Sequence, residues 1–323
     1  MRVLVTGAAG YIGATLVALL RETGQVAGRR VEALALLDRQ LPEAGDLSIA
    51  GDIASPEVLR RVADFAPDVC FHLAALPGGA SEADYEAGRR INLLGTLGLL
   101  ETLAGERAPV VVYASTIAVY GTALPALVDP STPLRPPITY GAHKLACEVL
   151  LADFSRRGLL DGRSLRLPGI VARPSSGPGL ASAFMSDVIR ALAAGQPYTC
   201  PVSAQATAWW MSARRCAENL VHAAGMDLAG SDPRRAWPLP VLRLSLADVV
   251  ATGIELFGTD RAGLVRFEAQ PAVEAVYGRY PVLDDSASRA LGLRDDGSAR
   301  ELLQRALRGL SCAPSRQAEP PRS

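Results

Sequence analysis

The sequence predicts a doubly wound α/β fold, a parallel sheet covered by helices on both faces, joined to a smaller mixed α/β lobe. Two observations predict it. The chain opens on "RVLVT", a β-branched apolar run that passes over three glycines into "YIGATLVALLRE", where apolar residues recur at helical period. Further apolar runs, "VEALALLD", "DVCFHLAA", "VVVYAST" and "SLRLPGIV", alternate with helical patterns such as "SPEVLRRVADF" and "INLLGTLGLLETLA". That alternation is the rhythm of parallel strands joined by crossover helices.

Residues 1–168 read as one such unit. At its first joint Gly7 permits a tight turn, Gly10 lets backbone approach a ligand, and Gly13 lets the helix lie close on the strand. The free N–H groups and dipole of a helix start favour an anion there, and the obvious anion is the pyrophosphate of a dinucleotide in a Rossmann turn. The spacing is GxxGxxG rather than the general GxGxxG. After the second strand, Asp38 is placed for the ribose hydroxyls of an adenosine and repels a 2′-phosphate, which favours NAD. Arg39 directly after it is either an acceptor for such a phosphate or a plain surface residue.

Beyond Pro168 the rhythm changes. A breaker-rich "ARPSSGPG" precedes the helical "ASAFMSDVIRALAAG", then "SARRCAENLVHAAG", a strand-like "WPLPVLRLS" and a last helix near "SARELLQRALRGL". Residues 169–312 are read mainly as a substrate-binding lobe over the C-terminal edge of the sheet, where ligands bind in open α/β folds. A segment at about 205–226 returns to the first unit, and residues 313–323 form a disordered tail.

Composition narrows the class. Lys plus Arg and Asp plus Glu are equal at 33 each, which removes the electrostatic case for nucleic acid or an anionic membrane surface as partner. No apolar run approaches the roughly 18 residues of a membrane span, and the N-terminus reads as a core strand rather than a leader. A cytoplasmic enzyme is the simplest expectation. Five cysteines without a CxxC pair and three separated histidines indicate buried thiols and no metal site.

The chemistry is carried by "TYGAHKLACEVL". Tyr140 and Lys144 are four apart and share one helix face. An ammonium beside a phenol favours the phenolate and brings its pKa down, which makes Tyr140 a candidate general acid/base. The preceding strand ends in Ser115 and Thr116, either of whose hydroxyls can hold the reacting oxygen of a substrate against the tyrosine.

With these pieces the chain resembles the extended short-chain dehydrogenases, the NAD-dependent epimerase/dehydratase family, from Met1 to roughly Leu310. "TGAAGYIG", "GDI", "HLAA", "NLLGT", "ASTIAVYG", "YGAHK" and "RLPGIV" follow in the family's order. The resemblance implies that Gly7, Gly10, Tyr11, Ile12 and Gly13 hold the pyrophosphate and Asp38 the adenosine ribose. Asp52 and Ile53 would flank the adenine, and Leu73, Ala74 and Ala75 would line the groove. Lys144 would bond the nicotinamide ribose beside Pro168, with Asn92 on the cofactor side or structural. Alignment on "VYG" puts Thr116 at the catalytic hydroxyl, with Ser115 as the fallback, and implies hydride transfer by Thr116, Tyr140 and Lys144.

The family's dehydratases carry an acidic pair where this chain has Ile117 and Ala118, and its epimerases an acid where this chain has Arg215. Within the family, "HLAALPGGASEADYEAGRRINLLGT" and "CPVSAQATAWWMSARRCAENLVHA" look most like the members that oxidise the C2 hydroxyl of a four-carbon sugar acid. Arg173, Arg214 and Arg215 are candidates for the carboxylate of such a substrate, each also readable as a surface or salt-bridged residue. Gly78 in "LPGGAS" would admit its hydroxyls, and Trp209 and Trp210 read as lobe packing. The alternatives are another sugar oxidoreductase, a uronate dehydrogenase or a nucleotide-sugar 4-epimerase, and a non-catalytic dinucleotide sensor. The resemblance also implies a homodimer through the Tyr140 helix and its neighbour, although burial within one chain would produce the same apolar pattern.

Overall fold

The computed structural model describes residues 1–41, 47–173 and 182–310. Most of "ARPSSGPG" and the whole 313–323 tail lie outside the described residues. The strands that matter for the site are β1 (Arg2–Thr6), β2 (Ala33–Asp38), β3 (Leu47–Ala50), β4 (Val69–His72), β5 (Val110–Thr116), β6 (Asp161–Leu167), β7 (Gly169–Val171), β8 (Thr207–Ser212), β9 (Ala236–Pro238) and β10 (Leu242–Ser245). Seven of them form one sheet in the order β9-β6-β5-β4-β1-β2-β3, and every neighbouring pair is parallel.

The apolar runs are continuous because both faces of this sheet are covered. Val3, Val5, Phe71, Val112 and Leu165 point to one side, where α1 (Tyr11–Thr23) and α6 (Ala213–Ala223) pack together. Leu4, Cys70, Val111 and Tyr113 point to the other, under α2 (Pro56–Phe65), α3 (Thr96–Leu103) and α4 (Thr139–Arg156). The period-two alternation of a strand thus feeds two separate cores. Residues between Met211 and Leu239 belong to the first of these cores, and Trp237 adds β9 to the sheet edge.

A second sheet, β7-β8-β10, carries the lobe together with α5 (Phe184–Ala194), α7 (Leu246–Phe257) and α8 (Ala299–Leu310). Trp209 and Trp210 are fully buried, and their indole N–H groups donate to the carbonyls of Pro281 and Leu244 at 2.7 and 3.0 Å. Both are packing residues, as expected.

Two local readings need correction. "WPLPVLRLS" is two strands in different sheets, because Pro238 and Pro240 cannot donate to a continuous ladder. "INLLGTLGLLETLA" is not one α-helix: Arg89–Gly95 is π-helical and runs into α3. Between α1 and β2 a small hairpin pairs Gln25–Val26 with Arg29–Arg30 through Ala27 and Gly28, both at positive φ, a turn whose Ala-Gly sequence lacks the usual Asn-Gly mark.

Candidate active site

The site begins where β1 breaks. Gly7 has φ +69°, and a Cβ there would lie 2.7 Å from the amide nitrogen of Ala74 on the next strand's exit. A Cβ on Gly13 would stand 2.0 Å from the Gly7 carbonyl oxygen, so α1 can lie on the turn only if residue 13 is glycine. Gly10 differs. Its backbone is ordinary, φ −70°, and its Cβ would meet only the Gly7 oxygen, at 3.1 Å. The start of α1 has no side-chain cap and no acid in its first turn, so its N–H groups face the cleft without a competing anion.

The other edge of the cleft is built by β5, α4 and the β6–β7 joint. A cavity of about 240 Å³ brings Gly7, Gly10, Tyr11, Ile12, Gly13, Leu73 and Ala75 opposite Ser115, Thr116, Tyr140, Lys144, Pro168 and Arg173. Gly78 is not among the residues that line the cavity, although a Cβ there would be 3.8 Å from the Cβ of Tyr140. Tyr11 closes the floor by donating its hydroxyl to the Val171 carbonyl at 2.8 Å, and burial pushes this phenol up to about 12. Thr116 Oγ1 accepts from the Ala118 N–H at 3.1 Å, which leaves its own proton free to donate. Lys144 Nζ, buried, donates to the Ala114 carbonyl at 2.8 Å.

Residues 3–234 match the profile of the NAD dependent epimerase/dehydratase family. The chain belongs to the NAD-dependent epimerase/dehydratase family. It is 37% identical to D-erythronate dehydrogenase of Cupriavidus necator over 94% of this chain and 97% of that one. It is 28% identical to D-erythronate dehydrogenase of Haemophilus influenzae over 94% and 98%. Among solved structures, a nucleoside-diphosphate-sugar epimerase from Agrobacterium tumefaciens superposes with a TM-score of 0.88 at 32% identity, covering 94% of this chain and 92% of that chain.

As a member of the epimerase/dehydratase family the chain has the family's fold, and its structure assigns several side chains to partners within the protein. Asp38 ends β2 with its carboxylate accepting from the N–H groups of Ala9 and Arg39 at 3.0 and 2.7 Å, at the side of the glycine turn. Asp52 accepts from Ala54 N–H at 2.9 Å and is paired with Arg90. Burial works against its ionisation, but the Arg90 guanidinium and the Ala54 N–H outweigh it and hold the carboxyl below its usual range. Ile53 is buried, and a Cβ on Gly95 would come within 2.8 Å of it. Ala74 donates its N–H to Thr6 Oγ1 at 3.2 Å. Asn92 is 1% exposed, and its amide accepts from Leu76 N–H at 2.7 Å and donates to Leu76 O and Ser81 Oγ at 3.0 and 3.1 Å. Its side chain supports the cleft wall from behind rather than facing a cofactor.

Two expectations fail. Arg214 pairs with Glu22 at 2.6 Å and with Glu218 at 3.1 Å, and Arg215 pairs with Glu218 at 2.7 Å. Both lie outside the cleft, because α6 turns them toward α1 and its own acids. Arg173 is the arginine that reaches the cleft, its Nε donating to the Ile170 carbonyl at 3.2 Å. The second failure is electrostatic. Burial raises the pKa of the Tyr140 phenol, and the opposing charge comes from Arg173. The Lys144 Nζ lies 5.7 Å from the centroid of the Tyr140 ring and donates to the Ala114 carbonyl instead.

Sequence reasoning passed over three features. Ser115 donates to Glu148, which chelates Arg166 at 2.8 and 3.1 Å, and Arg166 donates to Tyr120 Oη at 3.1 Å, all four residues being buried. His72 stands in the same wall between the hydroxyls of Thr6 and Thr96, at 2.7 and 2.9 Å. Lys144 is the single lysine of the chain. A count of lysines, against 32 arginines, would have marked it.

Proposed function

We propose that this protein is an NAD-linked dehydrogenase that oxidises the C2 hydroxyl of D-erythronate, a four-carbon sugar acid, to the 2-oxo acid. The likeness to the Cupriavidus necator enzyme along nearly the whole of both chains carries the proposal. The residues present suit a dinucleotide, since the uncapped helix start, the open side of Gly10 and the Asp38 carboxylate are the donor and acceptor set it requires. When bound, the nicotinamide supplies the acceptor for hydride.

The chain's own residues supply the rest. Thr116 donates its hydroxyl proton to the substrate's C2 oxygen and holds it beside Tyr140. Tyr140 takes the proton that leaves this oxygen as the carbon gives up hydride. Lys144 holds the nicotinamide ribose and favours the ionised phenol once its N–H groups are turned toward that side. Arg173 offers its guanidinium to the substrate carboxylate. Asp38 favours NAD over its 2′-phosphorylated form. The same reading takes the protein as a homodimer through exposed Leu94 and Val149 beside and on α4, which sedimentation tests.

NADH formation with purified protein, NAD or NADP, and a panel of tetronates, hexuronates and UDP-sugars tests the proposal. Turnover of D-erythronate with NAD, abolished in Tyr140→Phe, is expected. The likeness to the Agrobacterium tumefaciens epimerase favours a second reading. Conversion of a UDP-sugar without net NADH, together with silence on every sugar acid, would replace the first reading by the second. NADH binding with no turnover of any substrate would make the protein a dinucleotide sensor.

A further inference from the structure

Lys144 is a buried ammonium without a carboxylate at ion-pair distance among the described residues. The nearest acid on its own helix, Glu148, is spent on Arg166 and Ser115. A buried charge is costly unless something replaces its water. One carbonyl, that of Ala114, does so at 2.8 Å. The larger surface is aromatic: Nζ lies 4.6 Å from the centroid of the Tyr113 ring, closer than to Tyr140. The negative face of an aromatic ring attracts a cation, most strongly where water is excluded.

Tyr113 is itself held as a plate. It is 1% exposed, its hydroxyl lies against the Cys147 thiol, and it stacks on His72 with ring centroids 5.5 Å apart and an interplanar angle of 27°. Burial, and then the charge of Lys144, keep that imidazole neutral, so no second cation lies in the stack. A column therefore runs from His72 on β4 through Tyr113 on β5 to Lys144 on α4.

We infer that Tyr113 is a positioning residue whose ring face takes the place of the missing counter-ion and seats the Lys144 ammonium beside Tyr140. A carboxylate in that place would bind the N–H groups it neutralises. A ring face attracts the charge without accepting a conventional hydrogen bond, so two of the three N–H groups are left to turn toward a ligand in the cleft. The catalytic consequence rests on the dehydrogenase reading, while the seat itself does not.

The lone lysine makes the test direct, because protein labelled with ¹³Cε-lysine gives one set of ε signals. They are followed through a pH titration of the ligand-free protein in wild type, Tyr113→Phe, Tyr113→Leu and Tyr113→Met. The groups facing the amine are His72 from β4, Tyr113 from β5, and Tyr140, Cys147 and Glu148 from α4. In wild type, ε protons shifted upfield by the ring current are expected. Tyr113→Phe keeps that shift and the titration midpoint. Tyr113→Leu and Tyr113→Met lose the shift and titrate lower by about one unit, since only the charged form is attracted to the ring. Melting curves show which variants fold, and the wild-type shift decides alone if neither aliphatic variant does. Ordinary ε-proton positions in wild type, or one midpoint shared by all folded variants, would overturn the inference. Absence of D-erythronate turnover in wild type with the spectra as expected would remove the dehydrogenase reading and leave the seat standing.

Discussion

Gly10 and Gly13 sit three residues apart in one motif, and replacing each by alanine should give opposite signatures. At Gly13 the new methyl would be placed 2.0 Å from the Gly7 oxygen, 2.8 Å from the Gly7 carbonyl carbon and 3.0 Å from Ala8 Cα, all of them backbone atoms. An ordinary contact needs roughly 3.4 Å, so α1 would have to move off the turn by more than about 1 Å. Leu16, Val17, Leu19 and Leu20 hold that helix in the core and resist the movement. Gly13→Ala is expected to cost about 3 kcal/mol or more, at the upper end of overpacking changes. At Gly10 the conformation suits alanine, and the one close atom is 3.1 Å away. Stability should therefore change by less than about 1 kcal/mol, while the methyl occupies the side on which a pyrophosphate would lie. Urea melts and NADH fluorescence titrations separate the two: Gly13→Ala loses stability, and Gly10→Ala keeps its melt but binds NADH at least tenfold more weakly. A Gly13→Ala protein with the wild-type midpoint, or a Gly10→Ala protein with unchanged affinity, would refute the division of labour.

Other perturbations follow from the same wall. Burial pushes the His72 imidazole down to about 3, from 6.5 in the unfolded chain. Below pH 6.5 the unfolded chain takes a proton that the folded chain refuses, so this stability is complete above 6.5 and is lost as pH falls toward 3. His72→Gln should remove about one proton, roughly 1.4 kcal/mol per pH unit, from the slope of unfolding free energy between pH 6 and 4. Arg166→Met strands the buried Glu148 carboxylate and should cost about 3–5 kcal/mol, read by chemical denaturation, whereas replacing both by apolar residues should cost far less. Arg173→Met should raise KM for D-erythronate more than tenfold with NADH affinity unchanged, whereas Arg215→Met should leave that KM within about twofold, read by steady-state kinetics.

What could be read from the residues alone was local. Gly13 is demanded by contacts within a few residues of one turn and Gly7 by its positive φ, and Tyr140 and Lys144 share a helix face by their spacing. The arginines were misjudged because "ARRCAENL" does not say which way α6 faces. Packed on α1, it turns Arg214 to Glu22, nearly two hundred positions earlier, and both arginines to Glu218. Tyr113 was hidden inside "VVVYAST", whose residues before Ser115 read as strand core. Alternation puts it on the same side as Val111, but only the registration of α4 over β5 sets it beneath an ammonium. Asn92 shows the same limit, since its partners Leu76 and Ser81 come from the segment after β4, Ser81 within the short helix Gly78–Ala83.

The solitary lysine also gives the chain an unusual peptide map. An endoprotease that cleaves after lysine has one peptide bond to cut in all 323 residues, that between Lys144 and Leu145. That bond lies inside α4, with the lysine side chain 2% exposed, so the native protein should present no substrate to the protease. Two fragments, 1–144 and 145–323, would appear only when the helix bearing Tyr140 opens. The pair of bands on a gel then reports how often the centre of this site comes apart.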